Sequence, residues 1–292
     1  MGWPGGASSA RTARPVRPYE PANGTGGMLL AIDVGNTNTV FALYRDDELV
    51  GQWRLSTNRE RTAEEYAAAL IQLMRLKGFS HEQVGAIVIS SVVPQAVIGL
   101  RWMSRDFFGC RAFVVGEDLD YPIKINLNNP HEVGADRVVN AVAAGKRYAP
   151  PLIIVDFGTA TTFDVVNDEG SYCGGAIAPG INLSLEALHR AAAKLPRIAV
   201  EPPESVIGTS TVSAMQSGVF WGYVGLIEGL VSRIQAEYGK PMTVIATGGL
   251  APLFAKRCPV LAHIDRDLTM AGLLEMYELN RDLIRSGKGQ HA

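Results

Sequence analysis

"LLAIDVGNTNTVFALY", residues 29–44, is an apolar strand that ends on an anion, Asp33, and turns back through a row of donors into a second apolar run. The turn holds Gly35 and a patch of small amides and hydroxyls, Asn36, Thr37, Asn38 and Thr39. Gly lets backbone N–H groups come close to phosphate oxygens, and the amides and hydroxyls add donors. An Asp beside a nucleotide would repel it unless a cation lies between them. Asp33 is therefore a candidate for holding Mg²⁺ through oxygen or water, the usual mode for this ion. One such turn read alone is equally a plain β-hairpin with an Asx-type turn.

The design occurs twice. "IIVDFGTATTFDVV", residues 153–166, also runs from apolar strand to Asp, Gly and hydroxyls, and back to strand. Aligned on their carboxylates, Asp33 to Thr39 lies over Asp156 to Thr162 at an offset of 123 residues, with Asp, Gly and the final Thr coinciding. That offset is close to one domain length, so the chain reads as a duplicated domain. Two turns facing across an interdomain cleft would bracket a phosphate tail. Competing nucleotide and hydrolase signatures are missing: no Gly-Lys pair is followed by Ser or Thr, no Gly-x-Gly-x-x-Gly follows a strand, and Gly-x-Ser-x-Gly does not occur. "HEVGA" lacks the second His of a zinc-protease helix.

Outward from the first turn, strands are expected over 28–33, 39–44 and 48–55, with "RDDE" as a polar turn. "TAEEYAAALIQLMRLKG" reads as an amphipathic helix, with a Thr62/Glu65 capping box, an inward stripe of Tyr66, Leu70, Leu73 and Met74, and Gly78 as its stop. "GAIVISSVVP" is a strand buried on both faces; a helix near 95–107 and a strand near 111–116 follow. "EVGADRVVNAVAAGKRYA" is a helix packing Val138, Val139, Ala141, Val142 and Ala143 inward. The second half restarts with strands over 152–156, 162–167 and 172–178, and helices over about 181–194 and 211–238. Strands "TVIAT" and "LAHI" and a last helix from about 268 complete it. Mixed hairpins and parallel crossovers make this an α/β chain.

Bulk composition agrees with a globular protein: 292 residues, 47% hydrophobic and 19% charged. A net charge of −2 favours neither nucleic acid nor an anionic membrane as partner. Cys110, Cys173 and Cys258 lack Cys-x-x-Cys spacing and read as reduced, partly buried thiols of a cytoplasmic protein. Residues 1–27, rich in Gly, Pro, Ala and Arg, are expected to be a disordered leader; they lack the apolar centre of a secretory signal. Met28 opens the first strand, so the leader is open to an origin in an upstream start codon. No segment has the ~18 apolar residues of a membrane span.

"NNPHEVGADRVVNAVAA", residues 128–144, is the other loaded segment. Pro130 and Gly134 bracket a turn that brings Glu132 and Asp136 to a helix start, where acids complement the helix dipole by ~0.3–1 kcal/mol each. Asp136 carries more, because Gly134 clears space before it and Arg137 follows directly. A phosphoryl acceptor needs its hydroxyl oriented and its proton taken, and an Asp does this in several kinases.

"DVGNTNT", "NPHEVGADR", "DFGTATTFD", "GGAIAPG" and "TVSAMQSG", in this order and spacing, resemble type III pantothenate kinase over about 28–280. The resemblance implies the acetate and sugar kinase/Hsc70/actin superfamily: two duplicated ribonuclease H-like (actin-like ATPase) domains with mixed sheets and an interdomain cleft, over 28–149 and 150–282, with 283–292 as a flexible tail. It implies ATP-dependent phosphorylation of pantothenate on the way to coenzyme A, a homodimer, Mg²⁺ and a monovalent cation, potassium or ammonium. Carried across, Asp33, Val34, Gly35, Asn36, Thr37, Asn38, Thr39 and Val40 would hold the ATP phosphates and metal, with Thr159 a further ATP contact. Gly134, Ala135, Asp136 and Arg137 would contact pantothenate, Asp136 as proton acceptor. Thr211 resembles the substrate-binding threonine, with an N-cap of the long helix as its other role. Asp156 resembles the monovalent-cation ligand. Some members place a Tyr seven residues before the Gly of "GADR"; Leu127 stands there in this chain. "GGAIAPG" (174–180) is expected to form a close-backbone turn lining the cleft, and the glycines of "ATGGL" (246–250) to let a nucleotide approach. His131 and His189 are expected to be surface residues. Two other readings stay open: a superfamily kinase acting on a sugar or small acid, and a nucleotide-binding regulator without turnover, as related Bvg accessory factor proteins suggest.

Overall fold

The computed structural model describes residues 27–192 and 195–286; the expected leader, apart from Gly27, and residues 287–292 lie outside that range. β1 (Met28–Val34), β2 (Asn38–Arg45) and β3 (Glu48–Ser56) form an antiparallel meander. β4 (Val84–Ser91) and β5 (Ala112–Val114) extend it in parallel, giving the order β3-β2-β1-β4-β5. The second sheet repeats the plan with β6 (Leu152–Phe157), β7 (Ala160–Val166), β8 (Tyr172–Pro179), β9 (Thr243–Gly248) and β10 (His263–Ile264). Its order is β10-β9-β6-β7-β8, so β6 is the counterpart of β1 and β9 that of β4.

Strand alternation decides what each face meets. In β1, Leu30, Ile32 and Val34 point to an outer core, against α1 (Ala63–Leu76) and α2 (Pro94–Met103). Ile153, Val155 and Phe157 of β6 do the same against α5 (Thr211–Tyr238). The opposite faces, with Leu29, Ala31, Leu152 and Ile154, share one inner core with α3 (Ala135–Arg147) and α7 (Leu268–Leu279). α3 is therefore buried on nearly every side, from Val138 and Val139 to Ala144. It touches α7 so closely that a Cβ on Gly272 would lie 2.2 Å from the Val139 carbonyl oxygen.

Local signals placed most elements where the sequence puts them. Thr62 caps α1 in the expected box: its hydroxyl accepts from the Glu65 N–H at 3.3 Å, and its own N–H donates to the Glu65 carboxylate at 2.9 Å. Tyr66, Leu70 and Met74 are buried, Leu70 and Met74 worth roughly 1.5–3 kcal/mol each, and Leu73 packs at the margin. α2 is shorter than expected. It ends at Met103 and runs on as a π-helical turn, 104–108, where the Ser104 hydroxyl donates back to the Arg101 carbonyl at 2.8 Å. "GGAIAPG" is not a turn but the body of β8, with Gly180 as the residue that starts α4 (Ile181–Ala191). The last element among the described residues is α8 (Arg281–Arg285), which buries Ile284.

Candidate active site

β1 and β6 each carry a carboxylate one residue before their end. In register, Asp33 stands between Val40 of β2 and Ser90 of β4, and Asp156 between Thr162 of β7 and Thr247 of β9. Both belong to the inward set of strand positions, so both point toward the N-terminal end of α3. The turns beyond them meet: the Thr37 and Thr159 hydroxyls are 2.8 Å apart. Gly35 N–H bonds the Asn38 carbonyl at 3.0 Å, whereas Gly158 N–H reaches the Ala160 carbonyl at 3.0 Å. The second turn is therefore one residue tighter. This shifts the equivalence: Thr39 pairs with Val34, and its counterpart opposite Phe157 is Thr161, not Thr162.

That register sorts the expected phosphate-turn residues. Asn36, Thr37 and Asn38 are exposed at the tip. Val34 lies in the outer core, and buried Thr39 shares a hydrogen bond with Thr57 at 3.0 Å, so neither side chain joins the exposed tip. Thr57 in turn donates to the Gly35 carbonyl at 2.7 Å and pins the turn from behind. Val40 packs on the inner core beside Asp33.

Gly134 is the N-cap position of α3, and Ala135 is buried at its first turn. A Cβ on Gly134 would come within 2.6 Å of the Asp136 Oδ1, so the glycine gives that carboxylate its place. Asp136 Oδ1 accepts the Arg137 backbone N–H at 2.8 Å. One turn further along α3, Asn140 is buried, and its Nδ2 donates to Asp156 Oδ2 at 3.2 Å. Thr269 of α7 fixes the sense of that amide by donating to its Oδ1 at 2.7 Å. Arg137 turns the other way and bonds Asp164 of β7 through Nε and Nη2, at 2.7 Å each.

Asp33, Asp136 and Asp156 thus lie close enough to act on one another's charge, and Asp164, paired with Arg137, acts on Asp156. Burial pushes Asp33 up to about 8, with the charges of Asp136 and Asp156 adding to it. Asp156 rises to about 7 by burial and by the charges of Asp136 and Asp164. Burial also raises Asp136, against the pull of the Arg137 N–H and charge. Tyr121 is near enough for the Asp136 charge to add to the burial that raises its phenol. Asp33 Oδ1 and the Ser90 hydroxyl beside it are buried without a hydrogen-bond partner. An unpartnered carboxylate oxygen inside a cluster of anions is a group shaped for a cation. Among the described residues no three His, Cys, Asp or Glu side chains form a ready cage.

Gly248, at the end of β9, has φ +89, and a Cβ there would lie 2.7 Å from Asp156 Oδ1 and 2.6 Å from the Phe157 carbonyl oxygen. The first glycine of the "ATGGL" pair thus sits at the Asp156 carboxylate. Gly248→Ala is expected to destabilise the protein by roughly 1–3 kcal/mol, as a strained φ and a displaced Asp156 require. Urea unfolding would measure it, and an unchanged midpoint would contradict the geometry.

Thr211 is the exposed first residue of α5, and no hydrogen bond among the described residues links it to the carboxylates. The N-cap is its neighbour Ser210, which forms a capping box with Ser213. Leu127 packs on the inner core near Gly174, where a Cβ would meet its Cδ2 at 3.1 Å. His131 is exposed, and His189 is part-buried with its Nδ1 2.8 Å from the Leu195 carbonyl oxygen. Cys110 and Cys258 are buried thiols, raised by burial to about 12 and about 11. Sequence reasoning missed Asp164 and Asn140. Both had a signal: Asp164 is two residues from Thr162 on a strand, and Asn140 four from Asp136 on a helix, the spacings that share a face.

Residues 29–233 match the family model described as type III pantothenate kinase. A type III pantothenate kinase of Paramagnetospirillum magneticum (strain AMB-1) is 59% identical over 259 residues, 88% of this chain and all of that protein. Among solved structures, a Campylobacter jejuni protein described as a Baf-family transcriptional activator superposes with a TM-score of 0.51 at 18% identity, covering 87% of this chain and 99% of that one. A Sinorhizobium meliloti protein described as a 2-dehydro-3-deoxygalactonokinase gives 0.52 at 11% identity, covering 86% and 98%. At such identities these two likenesses speak for the fold alone. No helix among the described residues is long and apolar enough to cross a membrane.

Proposed function

The chain belongs to the type III pantothenate kinase family, and from that premise we propose that it transfers the γ-phosphoryl group of ATP to the primary hydroxyl of pantothenate, toward coenzyme A. The observation that carries this reading at the site is Asp136: a carboxylate at a helix start, given room by Gly134 and set among the phosphate-turn carboxylates. Asn36, Thr37, Asn38 and Thr159 donate to the phosphate tail, and the hydrogen bond joining Thr37 to Thr159 gives way to it. Gly134, Ala135 and Arg137 seat pantothenate, with Thr211 reaching the same substrate from α5.

Asp136 accepts the hydroxyl proton as the oxygen bonds to the γ-phosphorus. The bond from that phosphorus to the β-γ bridging oxygen breaks, and ADP leaves with the electron pair. Holding both reactants in line supplies most of the acceleration. Asp33 would hold Mg²⁺, directly or through water, and Asp156 a potassium or ammonium ion. Such cations, when bound, offset the charge of the phosphates. Exposed Ile177, Leu183, Leu188, Val206, Ile207 and Val212, on β8, α4, the loop after it and the start of α5, favour a homodimer. The enzyme would work in the cytoplasm, where its nucleotide is made.

A coupled ADP-release assay tests the reading. Release that requires pantothenate and rises with potassium is expected, from a species of twice the 31.4 kDa chain mass by light scattering. Nucleotide binding without any pantothenate-dependent release would turn the assignment toward a regulator, and a monomer would remove the dimer.

A further inference from the structure

Arg137 has a competitor for its charge next to it in the chain. Asp136 already accepts the Arg137 backbone N–H, and a flexible arginine beside a half-buried carboxylate would fold onto it and blunt it as a base. The structure keeps the two apart by offering Arg137 a better partner. Asp164 is fully enclosed in β7, with 0% of its side chain exposed, and its Oδ1 takes Arg137 Nε and Nη2. The Tyr172 hydroxyl donates to the same oxygen at 2.7 Å, and the Thr162 hydroxyl to Oδ2 at 2.9 Å. Tyr172 also lies under the guanidinium, 5.7 Å from ring centre to Cζ. No described hydrogen bond engages Arg137 Nη1.

A carboxylate with no solvent contact is costly unless paired and saturated with donors, and this one is both. Its place on the strand could hold an apolar residue, as the same face does at Val166. A pure packing role does not call for a charge here, nor for two hydroxyl donors aimed at it. We propose that Asp164, supported by Tyr172 and Thr162, is a positioning residue: it locks Arg137 in the orientation that receives the acceptor substrate and holds it off Asp136. The inference rests on the pantothenate-kinase reading of this site.

A double-mutant cycle tests it. Asp164→Asn is expected to raise the KM for pantothenate by ~10-fold or more, while the KM for ATP moves by less than ~2-fold. In an Arg137→Ala background the same substitution should add nothing to the pantothenate KM, because its effect runs through the guanidinium. Tyr172→Phe, which removes one donor and keeps the ion pair, should give a smaller rise of the same kind. A pantothenate KM unchanged in Asp164→Asn overturns the proposal. So does a rise that persists undiminished without Arg137, or one shared equally by both substrates, since those describe a structural prop. If Asp164→Asn does not fold, Tyr172→Phe decides by the same ratio of KM values. Wild-type protein inactive on pantothenate would remove the functional reading and this inference together; active wild type with an indifferent variant removes the inference alone.

Discussion

Asp136→Asn is expected to lower kcat by ~10²–10⁴-fold, the share of a barrier that a positioned base removes. The substitution is close to isosteric. An Asn Oδ1 still accepts the Arg137 N–H, now held at 2.8 Å by Asp136, and Gly134 leaves the room either side chain needs. The loss therefore falls on proton acceptance and not on the shape of the site. Nucleotide binding, followed by calorimetry, should be retained or tightened, because one negative charge leaves a cluster already rich in them. The pH profile supplies the second signature. Burial holds the Asp136 pKa above the ordinary carboxylate range, and the base works only when ionised. At saturating ATP, Mg²⁺ and pantothenate, wild-type kcat should then fall on the acid side at a pH higher than a solvated carboxylate would give, and this limb should vanish from the residual activity of the variant. Wild-type turnover in Asp136→Asn would exclude it as the base.

What the sequence made legible follows from the range of each signal. The doubled Asp-Gly turn, the Thr62 box and the α3 stripe are local patterns, and each stands where its pattern puts it. The one-residue slip that replaces Thr162 with Thr161 was not legible, because an alignment on carboxylates says nothing about how tightly the turn beyond them closes. Ser210 takes the cap from Thr211 because both are good capping residues, and only the backbone entry decides between them. Asp164 escaped for a different reason. Its strand spacing was visible, yet which sheet face meets α3 depends on two sheets packing on one pair of helices, a long-range fact. The same packing explains why Asn140 and Thr269, which are far apart in sequence, together fix Asp156.

Asp33→Asn should separate stability from function. With Oδ1 unpartnered and Asp136 and Asp156 nearby, the Asp33 carboxyl is pushed up to about 8, far above the ordinary carboxylate range. A folded-state pKa raised above the unfolded one means that the folded form binds the proton more tightly. Its contribution to stability is complete below about pH 4 and is lost as pH climbs toward 8. Allowing for the part of Asp33 that solvent still reaches, the loss is on the order of 3 kcal/mol. Ligand-free wild type should therefore melt lower at pH 8 than at pH 5, and Asp33→Asn, which has no such proton to lose, should close much of that gap. Catalysis should move oppositely: kcat/KM is expected to drop by at least ~10²-fold, since an amide cannot neutralise a cation beside the phosphates. Adding Mg²⁺ and ATP should raise the wild-type melting temperature most at pH 8 and do little for the variant. Equal melting curves for the two proteins at pH 8 would mean that Asp33 carries no buried charge, and the reason for an anion at the end of β1 would have to be sought elsewhere.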